Sequence, residues 1–324
     1  MIQRIRRLAL GVHLLLWWVS VEAQEANSVP IVGVLRASSP VQPDPAMVAI
    51  LGSLRSLGYT EGVNIRFEQR FADRHVERLP QLADELVRMN VKMIVAVNEA
   101  SLLAAKQATT TIPIIVIAYD HDPVAAGLIG SRTRPGGNVT GIYSRQTELA
   151  GKRLEVLKET LPGLSQVAVL YDAASRHAPA DLEAAGKQLG LQLRFVDLKN
   201  PKEYAGAIDQ IRGKVQGATL LFSPALFDYR AKIATLAIEA GLPMMSQERE
   251  FAVAGALMSY APDREEVAAR TAYFIDRLLR GAKPVDLPFE EGTRFKLTVN
   301  MKTAKALGVK IPESILLRAD EVIR

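Results

Sequence analysis

Short apolar runs alternate with amphipathic stretches along the chain. Ile31 to Leu35 (Ile-Val-Gly-Val-Leu) is unbroken in its apolar character and predicts a buried strand. After Arg36-Ala-Ser-Ser39, the residues Met47, Ile50, Leu51, Leu54 and Leu57 recur at helical spacing, and Gly58 is placed to stop that helix. Further on the pattern predicts a strand over Asn64 to Glu68, a helix over Glu77 to Met89 and a strand over Lys92 to Val97. A helix over Ala100 to Ala108 and a strand over Pro113 to Ala118 follow. The same order then recurs. Strands are predicted at Gln166 to Tyr171, Leu191 to Val196, Ala218 to Phe222 and Pro243 to Met245. Helices over Ala178 to Leu189, Pro201 to Arg212 and Leu226 to Ala240 lie between them. In each half the fourth strand opens on an apolar-Pro step, Ile112-Pro113 and Leu242-Pro243. Strands that are apolar throughout must be covered on both faces, so this alternation predicts an α/β fold of two doubly wound parallel-sheet lobes.

The tail does not fit two beads on a string. A strand over Gly255 to Ser259, a long helix over Arg264 to Arg280, a strand over Arg294 to Val299 and a short helix over Met301 to Leu307 follow the second half. Adding one strand and helix back to the first lobe before returning to the second makes three crossings, a three-segment hinge. The expected division is residues 28–142 plus 256–284 for lobe I and 143–255 plus 285–324 for lobe II. The crossings are then expected near Gly141 to Ser144, Gly255 to Ser259 and Lys283 to Leu287.

The first residues change the picture of where the chain works. Arg4, Arg6 and Arg7 precede an apolar run from Leu8 to Val21, and Val21-Glu-Ala23 has small residues at the −3 and −1 positions before Gln24. That is the form of a signal peptide spanning 1–23 with cleavage near Ala23, and the run is shorter than the roughly 20 residues a spanning helix needs. The alternative is an uncleaved N-terminal anchor. Cleavage would remove three arginines and Glu22, lowering the formal net charge of +5 by two. Composition is ordinary for a globular protein, with 48% hydrophobic and 23% charged residues. The chain has no cysteine, which excludes disulfides, thiolate-bound metal, thiol catalysis and a lipidated N-terminal Cys. No basic block or stacked aromatic run points to nucleic acid.

Catalytic signatures are absent: neither a Walker loop, a G-x-G-x-x-G after the first strand, a G-x-S-x-G nor an H-E-x-x-H occurs. Asp120-His121-Asp122 groups metal-ligand types, but adjacent residues of an extended segment point in opposite directions, so a solvated loop is the simpler reading. Open α/β sheets bind ligands outside the carboxyl ends of their strands, and the loops there are polar. In the first lobe they carry Ser38 and Ser39, Asn98, Glu99 and Ser101, and Tyr119 and Asp120. In the second they carry Tyr171 and Asp172, Ser223 and Gln247, with Ser144 at the first crossing. The serines stand before helices, where hydroxyls and free N–H groups hold a carboxylate or simply cap the helix. Glu99 is an acceptor for a ligand ammonium or a solvated acid. Tyr119, Tyr171 and Tyr260 offer ring faces to a flat ligand or pack internally.

Several segments resemble one family. They include Leu54-Arg-Ser-Leu-Gly-Tyr-Thr-Glu-Gly62, Arg78-Leu-Pro-Gln-Leu-Ala-Asp-Glu-Leu-Val87, Asp122-Pro-Val124 and Arg134-Pro-Gly-Gly-Asn-Val-Thr-Gly141. Lys152-Arg-Leu-Glu-Val-Leu-Lys-Glu159, Asp276-Arg-Leu-Leu-Arg-Gly-Ala-Lys-Pro284 and Arg318-Ala-Asp-Glu-Val-Ile323 continue the likeness. Together they resemble the ABC-transporter substrate-binding proteins of the tryptophan/tyrosine-binding type, a branch of the type I periplasmic binding proteins. The resemblance implies a periplasmic, monomeric receptor without cofactor or metal. Such a receptor hands a small solute to an inner-membrane permease and its ATPase. The chain departs from the family's pattern at Asn98-Glu-Ala100, at Tyr119-Asp-His121 and at Phe71. The loops then favour an amino acid or aromatic carboxylate as ligand. The alternatives are a receptor for a membrane sensor and an exported α/β enzyme.

Overall fold

A computed structural model describes residues 29–119, 122–144, 149–175, 180–221 and 223–324. The expected signal peptide at 1–23 and its cleavage near Ala23 lie outside the described residues, as do Asp120 and His121.

The first sheet is wholly parallel, in the order β11-β5-β4-β3-β1-β2. Its strands are β1 (Ile31–Arg36), β2 (Arg66–Phe71), β3 (Met93–Val97), β4 (Ile114–Ala118), β5 (Val139–Tyr143) and β11 (Glu290–Glu291). The second has the order β13-β12-β10-β9-β8-β6-β7. It comprises β6 (Gln166–Tyr171), β7 (Gln192–Asp197), β8 (Gly217–Leu220), β9 (Met244–Ser246), β10 (Met258–Pro262), β12 (Phe295–Asn300) and β13 (Glu321–Ile323). Strand β12 is antiparallel to β10, which is what lets the tail turn back.

Helices α1 (Pro45–Ser56), α2 (Leu79–Arg88) and α3 (Glu99–Ala108) follow strands of the first sheet. Helices α4 (Ala150–Thr160), α5 (Ala180–Gln188), α6 (Tyr204–Asp209), α7 (Pro224–Asp228), α8 (Arg230–Glu239) and α9 (Arg249–Ala254) serve the second. The tail adds α10 (Arg264–Leu279), α11 (Met301–Ala306) and α12 (Glu313–Arg318).

Alternation along a strand assigns each side chain to one of two cores. Ile115 and Ile117 of β4 join Val32 and Val34 in the layer under α1 and α10, whereas Ile114, Val116 and Ala118 face the layer under α2 and α3. The second sheet is covered on both faces in the same way. Three strands, β5, β11 and β13, escaped the periodicity reading. β5 passes so close to β4 that a Cβ on Gly141 would overlap the backbone of Val116, and its φ of 145° is open to glycine alone.

The crossings differ from expectation. Met258 and Ser259 pair with Met245 and Ser246, so β10 belongs to the second sheet and Gly255 merely ends α9, with φ of 123°. The chain returns to the first lobe only at Asp263, and α10 then packs on α1, β4 and β5. Glu290 and Glu291 pair with Ile142 and Tyr143, so residues 285–291 stay with the first lobe. The three crossings are therefore the segment between β5 and α4, Asp263, and residues 292–294. The helix expected over Leu226 to Ala240 is two helices that break at Tyr229, and α4, α9 and α12 were not anticipated.

The second and third crossings run side by side and are tied together. Asp263 caps α10 through the Glu265 N–H at 3.0 Å and pairs with Lys296 at 3.0 Å. Its N–H donates to the Arg294 carbonyl at 2.9 Å, while Glu266 accepts the N–H groups of Thr293 and Arg294. Burial alone would raise the Asp263 carboxyl, but the Glu265 N–H and the Lys296 ammonium outweigh it and hold it below the ordinary value of 3.8. A depressed carboxyl contributes stability above its unfolded value and loses it as pH falls through the folded one. The variant Asp263→Asn, which keeps the cap and removes the charge, should therefore unfold at lower urea than the wild type at pH 7. The gap should narrow once pH drops below 3.8; a gap independent of pH would refute the ionic role.

Candidate functional site

The carboxyl ends of both sheets face one cleft. A cavity of about 130 Å³ lies in it, lined from the first lobe by residues after β1, β2, β3 and β4 and from the second by the starts of α7 and α9. Its apolar surface comes from Val41, Phe71, Val97 and Phe227, and its polar rim from Ser38, Ser39 and Asn98. Tyr119, Arg36, Asp44, Glu248, Glu250 and Arg264 complete the wall.

Local structure accounts for how these groups are held. Asp44 caps α1, accepting from the N–H groups of Ala46 and Met47 at 3.0 and 3.3 Å, and its other oxygen pairs with Arg36 at 2.9 Å. Asn98 caps α3 through the Ser101 N–H at 3.1 Å, with φ of 77°. That conformation disfavours any residue with a Cβ, so the cleft loop stores some strain at this point. Burial pushes the Tyr119 hydroxyl up, and the nearby Glu248 adds to the effect, so the ring carries a neutral phenol.

The remaining residues expected at the site have other surroundings. Ser101 is fully buried behind Asn98, and Ser144 is fully buried with its hydroxyl donating to the Ala118 carbonyl at 3.1 Å. Glu99 opens α3, is half-buried and does not line the cavity. Asp172 and Ser223 meet each other: the Ser223 hydroxyl donates to the Asp172 carboxylate and also caps α7. Tyr171 packs edge-on against Phe195 at 6.2 Å, and Tyr260 packs against Phe295 at 6.0 Å. Among the described residues, no group of three or more His, Cys, Asp or Glu could hold a metal ion. Nor is any helix among them long and apolar enough to cross a membrane.

Side chains of the two lobes meet across the cleft. Arg74, beyond β2, pairs with Asp228 at the end of α7 at 3.4 Å, and its guanidinium lies 5.4 Å from the Tyr229 ring centre. Burial raises the Asp228 carboxyl, while Arg74 and Ser39 of the opposite lobe pull it back. The lobes are thus together in this structure.

Periodicity passed over the charged wall and one buried cation. Arg153 on α4 is 2% exposed; its Nε donates to the Tyr260 carbonyl at 2.8 Å and an Nη lies 3.5 Å from the Gln247 amide oxygen. Burial pushes its guanidinium down to about 9, against the pull of Glu248 and Tyr260, which leaves it charged at neutral pH. It ties the chain just after the first crossing to the chain just before the second. The available signal was an arginine between Leu149 and Leu157 at i+4 and i−4, on the apolar face of its helix.

Two doubly wound lobes, a three-segment hinge and a cleft at their strand ends define a type I periplasmic binding protein. Residues 42–323 match the family model described as ABC transporter substrate binding protein, and the chain belongs to that family. It is a family of binding proteins, not enzymes. A tyrosine-binding protein of Clostridioides difficile is 25% identical over 270 residues, 82% of this chain and 77% of the relative. A conserved domain protein from Vibrio cholerae superposes with a TM-score of 0.81 at 25% identity, covering 91% of this chain and all of the other. An ABC domain from Streptococcus pneumonia in complex with L-Trp gives 0.80 at 23% identity, covering 91% of this chain and all of that one.

Arg153 should be a stability determinant. Arg153→Met removes a buried cation and its hydrogen bond to the Tyr260 carbonyl and should cost on the order of 3 kcal/mol in urea unfolding. Arg153→Lys should recover only part of this, because an ammonium does not reproduce the planar fork. A methionine variant as stable as the wild type would contradict the role.

Proposed function

We propose that this chain is the exported solute receptor of an ABC importer and carries an aromatic amino acid in the cleft between its lobes. The observation that carries the reading is the composition of that cavity. Val97, Phe71 and Phe227 suit a flat apolar side chain, and Ser38 and Ser39 in the loop after β1, with Asn98 at the start of α3, suit a polar head group. The tyrosine-binding relative and the L-Trp complex support the same ligand class. The basic and apolar N-terminal segment supports export to the periplasm. Its partners are then a permease and its ATPase in the inner membrane, met by a monomer. A ligand that touches both lobes stabilises their closed arrangement by the contacts it gains there, which is the signal a permease reads.

Thermal unfolding with L-tyrosine, L-tryptophan, sugars and nucleosides tests the ligand class. A ligand bound only by the native state at a hundred times its Kd adds about 2.7 kcal/mol and raises the melting temperature by several degrees. The rise is expected with the aromatic amino acids. Stabilisation by sugars alone would refute the proposal.

A further inference from the structure

Each sheet has at one edge a six-residue strand paired on one side only, β2 in the first lobe and β7 in the second. Such an edge offers N–H and C=O groups to any extended chain unless something blocks it. In a parallel ladder, alternate residues turn both backbone groups toward the same neighbour. Along β2, Arg66 and the following Ala72 donate to the Pro30 and Arg36 carbonyls, so Phe67, Gln69 and Phe71 face outward. Two of those outward groups are already used. The Phe67 N–H donates to Glu61 Oε1 at 3.1 Å, and the Gln69 carbonyl accepts from Arg70 at 3.1 Å. The cations of β2 are matched as well, Arg66 and Arg70 by Glu68 and Arg70 again by Glu85. The β7 edge is different. Gln192 and Leu198 donate inward to the Ser165 and Tyr171 carbonyls, which leaves Leu193, Phe195 and Asp197 facing outward. Among the described residues, no side chain hydrogen-bonds to the backbone of these three.

Beside this open edge runs a groove of about 780 Å³ between β7 and α6, with Val196, Tyr204 and Ile211 as its apolar floor. Lys199 and Lys202 stand at the carboxyl end of β7, and Arg194 and Lys214 toward its amino end. The acids of the groove are Glu203 and Asp197, the latter 4.0 Å from Lys199. Arg194, Lys202 and Lys214 are exposed and have no acidic partner among the described residues. We propose that this flank is a docking strip for an extended, acidic segment of another protein, which adds an eighth strand to the seven of the second sheet. Main-chain bonds to Leu193, Phe195 and Asp197 attach the segment, and its carboxylates meet the unmatched cations at the two ends of the groove. A second copy of this chain is a poor occupant, because pairing two β7 edges brings the same cations together. None of these residues lines the cleft cavity, so the strip works whatever ligand the cleft holds.

Titration of the full chain with a labelled, end-capped hexapeptide of alternating Glu and Val, followed by fluorescence anisotropy, tests the strip. At low salt it should bind at least about tenfold more tightly than its Lys-Val counterpart, and salt should weaken it. Methylating every backbone N–H of the peptide keeps the carboxylates but forbids strand pairing, and should cost about tenfold or more. Amide exchange should slow at Leu193, Phe195 and Asp197 on binding and stay unchanged along β2. Joint replacement Lys202→Glu and Lys214→Glu, at exposed positions, should weaken the acidic peptide by about tenfold or more. An acidic peptide that does not bind, or whose affinity survives methylation, would overturn the strip. Slowed exchange at the same three amides on raising the protein concentration without peptide would assign the edge to a second copy and overturn it too.

Discussion

The architecture depends on one topological constraint: the chain passes between its two sheets three times. Each sheet is finished by residues distant in sequence, β11 for the first and β12 with β13 for the second. Neither lobe is therefore a continuous bead, and α10 must cross back to cover the first sheet before β12 can run antiparallel beside β10. The second and third crossings lie next to one another and are cross-linked by Asp263, Glu266 and Lys296, and Arg153 on α4 binds the Tyr260 carbonyl just before the second. Several parallel covalent links resist sliding but permit a swing. The motion available to this molecule is thus a rotation that opens or closes the cleft at the strand ends.

The electrostatics of the cleft follow from the same arrangement. Several of its charges are matched by partners: Arg36 with Asp44 inside the first lobe, and Glu250 of the second lobe with Arg264 of the first. Charges held this way are pre-oriented, since each partner is itself anchored by a helix cap or a neighbouring strand. The Arg74–Asp228 contact at the mouth is of another kind. It is partly exposed and screened by salt, so its contribution is small and it can open without large cost.

Much of the fold was readable from periodicity because strands buried on both faces are continuous apolar runs, as Ile114 to Ala118 and Gln166 to Tyr171 illustrate. Strand β5 was hidden by Thr140 and Gly141, which serve the approach to β4 and a hydroxyl bond to the Leu287 carbonyl rather than the hydrophobic pattern. Gly255 looked like a hinge and is a helix stop, because a glycine signals backbone freedom without saying what uses it. At the site, Ser38, Ser39, Asn98 and Tyr119 were identifiable as polar residues at strand ends. Glu248, Glu250 and Arg264 were not, since a charge beside a helix start reads as a solvated face until a second lobe is folded against it. The partners of these groups, like those of Arg153, are far away in sequence. Local pattern carries no information about them.

The central claim is that the cleft closes on its ligand by rotation about the three crossings. The absence of cysteine allows a direct measurement. Val76→Cys, beyond Arg74 in the first lobe, and Ala231→Cys, beyond Asp228 in the second, place two probes on exposed positions across the cleft mouth. Their distance distribution, recorded by pulsed dipolar spectroscopy with and without saturating L-tryptophan or L-tyrosine, reads the rotation itself. The account predicts that the ligand collapses the distribution to a single short distance. A distribution unchanged or lengthened by a ligand that calorimetry shows to be bound would contradict it.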